Sequence, residues 1–379
     1  MMPARETSMA TVTYGPVMRE LVLCCMNALL LSIVLISLLG KFSTVIGLVD
    51  IPSGRKNHAG NVPLVGAAVF VAFATGMLLL DQWPVGQVGF LGGLFLLVTL
   101  GLVDDLYDVR AAIKLFAQTI CVGLMVLPSA HFVRHIELFA PGYLLPLEWA
   151  IPGTILAMVG LINAINMMDG IDGLAGSLTL AALFWLAVAA WALGLSGDFS
   201  TAILAACSVV GFLGFNLRHP WRSRAGVFLG DAGSLMLGAI LGFLAISVSQ
   251  PEIRGISPVA VLWIFCIPVI DTISLAVRRL AGGRSPLSSD RLHLHHLLLD
   301  AGFTQGQAVI ALSGCAAIFG GIGTIGWLIQ LPDGVLLAGL AAPIGLHVWF
   351  TAYGRHHLWV NFRTDALPSS APAQQSAEG

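Results

Sequence analysis

Apolar residues run through this chain in long blocks, and polar residues collect in short clusters between them. A bilayer-spanning helix needs about 20 mainly apolar residues at 1.5 Å of rise each. Apolar windows of that length predict eleven helices, at residues 17–39, 63–80, 87–103, 112–128, 148–166, 175–194, 199–217, 232–249, 259–277, 307–329 and 335–352. Breakers mark several of the turns: Asp81-Gln82-Trp83-Pro84, Leu195-Ser196-Gly197-Asp198 and Leu331-Pro332-Asp333-Gly334. The fold class expected is an all-α polytopic integral membrane protein with about eleven transmembrane helices. Residues 17–352 read as one membrane-embedded domain, with no internal repeat. An extracytoplasmic segment, 1–16, precedes it. A cytoplasmic tail, 353–379, follows, and its Ala, Ser, Pro and Gln content after Asp365 predicts disorder. The first block is long, carries Arg19 and Glu20 at its start and lacks a small-residue cleavage site, so no cleavable signal peptide is expected.

Composition agrees with the pattern. Of the 379 residues, 57% are hydrophobic and 10% charged, whereas a soluble domain carries about 25% charged residues. The net charge of −2 offers nothing to nucleic acid, which is excluded as a partner class. All six cysteines fall inside apolar blocks without metal-ligand spacing and read as small buried hydrophobes.

The arrangement of charge adds a direction. Alternate loops beginning at Lys41 hold fourteen of the eighteen Lys and Arg residues, and the other set holds only Arg5, Arg19, Arg134 and Arg254. Positive charge favours the cytoplasmic side. The N-terminus is therefore expected in the periplasm and the C-terminus in the cytoplasm.

Four polar clusters map to the predicted cytoplasmic side. The first, Val103 to Asp108, holds Asp104, Asp105 and Asp108, with Lys114 on the next helix. Asp104 and Asp108, four apart, would share a helical face, and adjacent carboxylates need a balancing cation. In the second, Asn163, Asn166, Asp169 and Asp172 recur every three residues, a single stripe if helical, at a depth where polar groups are costly and tend to be functional. The third, Phe228-Leu229-Gly230-Asp231-Ala232-Gly233-Ser234, sets a carboxylate among small residues at a helix start. The fourth, Asp290 to His296, carries Arg291, His293, His295 and His296. An ancillary loop offers Arg55, Lys56 and His58 as anion ligands.

Together these groups describe a magnesium–diphosphate site. Mg²⁺ takes oxygen ligands, usually one or two carboxylates plus substrate phosphates, and phosphoryl transfer needs positioning and charge stabilisation above all. No Walker A or G-x-G-x-x-G motif occurs. A membrane site facing the cytoplasm points to a soluble phosphorylated donor and a lipid acceptor.

At these residues the chain resembles a known family, the polyprenyl-phosphate N-acetylhexosamine-1-phosphate transferases of the glycosyltransferase 4 type. The matching stretches are VDDLYD (103–108), NAINMMDGIDGLAG (163–176), VFLGDAGS (227–234), DRLHLHH (290–296) and RKNH (55–58), in family order. DRLHLHHLLLDAG is most similar to the bacterial branch that acts on UDP-GlcNAc and undecaprenyl phosphate; the muramoyl-pentapeptide branch usually has three consecutive histidines. The resemblance implies transfer of GlcNAc-1-phosphate to undecaprenyl phosphate at the bacterial inner membrane, with release of UMP. It implies Mg²⁺, with Mn²⁺ as an alternate, bound at Asp231 and Asn166. It gives Asp104 the lipid phosphate, with Asp105 beside it, Lys114 the diphosphate, Asp172 and Phe228 the vicinity of the uridine, and the three histidines the donor phosphates and sugar. It leaves Arg55, Lys56, His58, Asp108, Asn163, Asp169 and Arg291 as further substrate-binding candidates and a homodimer as the expected assembly. Ala67 and Leu294 depart from the family's usual glycine and isoleucine. A phosphate monoester loses its second proton near pH 6, so Asp104 is expected to position the lipid phosphate more than to deprotonate it. The rival readings are another UDP-N-acetylhexosamine, a nucleotide-sugar transporter, and a membrane zinc hydrolase built on the histidines.

Overall fold

The computed structural model describes residues 14–50, 60–80, 86–136, 143–250, 255–285 and 292–354. Most of segment 1–16 and of the tail, and the candidates Arg55, Lys56, His58 and Arg291, lie outside the described residues. The chain runs through α1 (Tyr14–Ile46), β1 (Val49–Asp50), β2 (Val62–Pro63), α2 (Gly66–Leu79), α3 (Gln87–Tyr107), α4 (Ala111–Ser129), α5 (Leu147–Met167), α6 (Leu174–Leu193), α7 (Ser196–Asn216) and α8 (Gly230–Ser249). It continues through α9 (Pro258–Ile264), α10 (Cys266–Ala281), α11 (Leu294–Asp300), α12 (Gln305–Leu328), α13 (Asp333–Gly339) and α14 (Ala341–Trp349), and closes with a π-helical turn at Phe350–Gly354.

Among the described residues nine helical segments are long and apolar enough to cross a membrane, ten if α9 and α10 count as one broken span. Each of the eleven predicted segments is helical, but two depart from a simple span. The 63–80 segment begins with a strand, and its helix α2 has 14 residues, about 21 Å against a hydrocarbon core of about 30 Å. The 259–277 segment is bent by 86° at Phe265, between α9 and α10. Pro268 lies four residues beyond Ile264 and has no N–H to give that carbonyl, so the ladder breaks there.

The core is organised around α8. Every residue from Ala232 to Ser249 is buried, with α3 and α5 as its chief neighbours and α2 and α6 completing the wall. Lipid is as apolar as leucine, so helices in a bilayer associate through close packing of small residues rather than through hydrophobic burial. A methyl at Gly66 would fall 2.2 Å from the Gly233 nitrogen, and one at Gly101 would fall 2.4 Å from the Ala232 backbone. These contacts press α2 and α3 onto the first turn of α8. The outward faces carry large apolar side chains such as Leu23, Leu30, Phe95, Ile310 and Ile318.

A small backbone layer caps this end. β1 pairs antiparallel with β2. Val65 donates to the Phe228 carbonyl at 2.9 Å, and Phe228 donates to the Pro63 carbonyl at 2.8 Å. The strands flanking the RKNH segment are therefore tied to the start of the FLGDAGS turn.

Candidate active site

The C-terminal ends of α3 and α5 and the N-terminal ends of α4 and α8 meet at one end of the bundle. Their junction is Lys114, whose side chain is largely buried. Its Nζ donates to Asp104 Oδ2 and, at 2.7 Å, to Asp231 Oδ2. The other Asp231 oxygen accepts from Asn166 Nδ2 at 2.7 Å, and the same amide donates to Ser234 Oγ at 2.8 Å. Asp104 Oδ1 accepts from the Val109 backbone at 2.8 Å, which holds the carboxylate over the α3–α4 turn. Three of the four sequence clusters are thereby joined by direct bonds through Lys114 and Asp231.

Asp105 has a different task from its neighbour. Its Oδ1 accepts from the Asp231 nitrogen at 2.8 Å and its Oδ2 from the Ala232 nitrogen at 3.2 Å. A carboxylate on α3 thus caps the first turn of α8, where the backbone N–H groups have no partner within the helix and the dipole favours negative charge. Gly230 makes room for this: its φ is +70°, and a methyl there would fall 2.7 Å from Asp105 Oδ2.

The predicted four-residue stripe does not survive intact. α5 stops at Met167 and residues 168–173 form turns, so Asn166 stays on the helix while Asp169 and Asp172 leave it. Asn163 sits one turn deeper and donates to Gln118 Oε1 at 2.6 Å and to the Val159 carbonyl at 2.7 Å, away from Asp231. Asp169 accepts from the Gly230 backbone; burial first, then the negative charges of Asp231, Asp105 and Asp172, push its carboxyl well above the usual range. Asp172 accepts from Arg218 Nε at 2.7 Å and from the Ala225 nitrogen at 3.0 Å. Asp108 also departs from expectation. The helix ends at Tyr107, and Asp108 turns left-handed at φ 52° as its C-cap, so it does not share the helical face of Asp104. Aspartate tolerates that region better than most residues.

The histidines divide by environment. His293 Nδ1 lies 2.8 Å from Asp271 Oδ2. His295 is 1% exposed and lies under Gly170, where an added methyl would fall 2.2 Å from its Nε2. Burial first, then the neighbouring His296 and His293, lowers its pKa to about 3, so the ring is neutral at physiological pH. His296 is half-buried, its ring 4.2 Å from that of His295. The histidine motif and the DGIDG turn therefore touch through His295 and Gly170. Among the described residues no group of three or more His, Cys, Asp or Glu side chains forms a metal cage.

Four supporting residues escaped the sequence reading. Asn216 accepts from the Gly173 nitrogen at 2.7 Å and donates to the Val227 carbonyl at 2.8 Å, lacing the DGIDG turn to the VFLG segment. Gln118 orients Asn163, and Arg218 holds Asp172. Asp271 is the fourth. It is the only charged residue in the predicted 259–277 span, a signal that marks a functional candidate on its own.

Comparison with known proteins agrees with the motifs. The sequence model of glycosyl transferase family 4 matches residues 87–249. An undecaprenyl-phosphate alpha-N-acetylglucosaminyl 1-phosphate transferase of Yersinia pestis is 35% identical, over 79% of this chain and 82% of its own length. The protein of that name from Escherichia coli K12 is 33% identical, over 75% and 78%. That from Haemophilus influenzae is 30% identical, over 86% and 94%.

Proposed function

The chain belongs to glycosyl transferase family 4, and from that membership we propose that it transfers GlcNAc-1-phosphate from UDP-GlcNAc to undecaprenyl phosphate. The products are undecaprenyl-diphospho-GlcNAc and UMP. The observation that carries this reading is the lysine bridge: Lys114 bonded to both Asp104 and Asp231, a cation set among carboxylates where a diphosphate and a metal ion would meet.

In the reaction, an oxygen of the lipid phosphate attacks the sugar-bearing phosphorus of the donor, and the bond to the UMP oxygen breaks. Asp104, fixed by Val109 and Lys114, orients the lipid phosphate. Lys114 neutralises the diphosphate as charge moves onto the leaving group. His293 and His296 meet the donor phosphates and sugar, while buried His295 packs the motif against the DGIDG turn. Mg²⁺ held by Asp231 and Asn166 would supply further charge neutralisation. The donor set fits that ion: it is oxygen-based, and Mg²⁺ needs only one or two protein carboxylates because water and phosphate complete its shell. The clustering of fourteen cationic residues in one set of loops supports a catalytic face toward the cytoplasm of the bacterial inner membrane.

Membranes containing the protein, given radiolabelled UDP-GlcNAc and undecaprenyl phosphate, are expected to form lipid-linked label with Mg²⁺ and to stop with EDTA. Absence of product in the presence of Mg²⁺ would overturn the reading. Unlabelled UDP-N-acetylgalactosamine, in excess, is expected to compete weakly; strong competition would move the donor assignment to another hexosamine.

Gly170→Ala tests the contact between the DGIDG turn and the histidine motif. The new methyl meets the His295 ring, which is buried and has little freedom to move. Turnover is expected to fall by about 10²-fold, the scale of a 1 Å misplacement, with a lowered melting temperature in detergent because the methyl overpacks a buried contact. Wild-type turnover would show that the contact does not matter.

A further inference from the structure

We propose that Asp271 is a positioning residue for the transfer, holding His293 in one tautomer and one orientation toward the donor. This rests on the transferase reading above. Asp271 lies on α10, outside every sequence motif, and is 0% exposed. A buried carboxylate is costly unless its oxygens are bonded, and both are. Oδ2 faces His293 Nδ1 at 2.8 Å, and Oδ1 accepts from the Leu294 nitrogen at 2.9 Å. Arg278, seven residues along and on the same face of α10, donates from Nη2 to the Leu292 carbonyl at 3.1 Å. Three consecutive residues, 292 to 294, are thus anchored to one face of one helix. His347 on α14 approaches Asp271 Oδ1 at 3.9 Å and closes the other side.

The pairing carries chemical information beyond anchoring. An ionised carboxylate only accepts hydrogen bonds, so His293 must carry its proton on Nδ1. Its Nε2, on the opposite edge of the ring, is then the nitrogen left for substrate. The plane of the ring is fixed as well: it stacks on His295 with centroids 5.7 Å apart and an interplanar angle of 10°. A loop tethered only by its backbone would leave the ring free to turn. The bonds to Asp271 and the stack on His295 determine both the tautomer and the direction of the free edge.

A double-mutant cycle on the full-length protein in detergent tests this. Asp271→Asn keeps an acceptor oxygen for Leu294 but presents an N–H to His293, which reverses the tautomer. D271N and H293Q are each expected to lower kcat by about 10²-fold, with KM for UDP-GlcNAc shifted less than about threefold. Groups that act as a unit are not additive, so the double variant is expected within about threefold of H293Q. Additive losses, or D271N at wild-type kcat, would overturn the proposal. If D271N does not survive purification, the same cycle with D271E is read in the same way, because the longer side chain displaces the carboxylate from the ring. Product formation by the wild type reports separately on the transferase reading: no wild-type product defeats that reading, and an active wild type with additive variants defeats only the role of Asp271.

Discussion

Lys114→Gln is expected to lower turnover by about 10²–10³-fold, the scale for loss of one preorganised charge-stabilising donor. Lys114 is the group that joins α4 to both α3 and α8, through Asp104 and Asp231. Removing its charge leaves two carboxylates facing each other with no cation between them, and it removes a partner from the transferring phosphoryl group. Glutamine keeps a hydrogen-bond donor and much of the length, so the loss reports mainly on charge. Lys114→Arg is expected to recover little, because a planar fork cannot replace a compact ammonium shared by two oxygens from different helices. Initial rates of lipid-linked product in proteoliposomes, normalised to folded protein, measure both variants. Turnover within threefold of wild type for Lys114→Gln would remove Lys114 from the mechanism.

The second large effect is expected at Asp105, for a different reason. Asp105 binds the Asp231 and Ala232 backbone nitrogens and so sets the first turn of α8. Asp105→Ala leaves those two N–H groups unpaired and removes the charge that complements the helix dipole. A lost cap costs about 0.5–2 kcal/mol of stability, and the turn it releases carries Asp231. Activity is expected to fall by about 10²-fold through misplacement, with a lowered melting temperature. Asp105→Asn retains one acceptor oxygen and is expected to lie between alanine and wild type in both measurements. A residue that acted directly on substrate would lose activity in both variants without a matching loss of stability. Parallel changes in melting temperature and rate support the capping role, and an unchanged melting temperature in Asp105→Ala would exclude it.

The VDDLYD motif holds this division of labour within two adjacent residues. Asp104 and Asp105 are adjacent, yet one faces Lys114 and the other faces the backbone of α8, because successive helical positions point about 100° apart. The Asn163-to-Asp172 stripe divides as well. Its three-residue spacing is real, but α5 ends at Met167, so the period has no meaning for Asp169 and Asp172. Those two residues take partners from the turn and from Arg218 instead.

Two kinds of information therefore separate. Spans, breakers and the placement of polar clusters at helix ends are local properties, set by the thickness of a bilayer and the cost of polar groups within it. The eleven apolar segments and the candidates Asp104, Lys114, Asn166 and Asp231 were legible for that reason. The short α2 and the bend at Phe265 were less so, since they depend on strand pairing and on the packing around a proline. Which groups touch is not local at all. Lys114 and Asp231 are 117 positions apart, and Asp105 and Asp231 are 126 apart. Only the packing of α3 and α4 against α8 decides that Lys114 bridges α3 and α8 and that Asp105 caps α8, and only the seating of residues 292–294 on α10 decides that Asp271 faces the ring of His293.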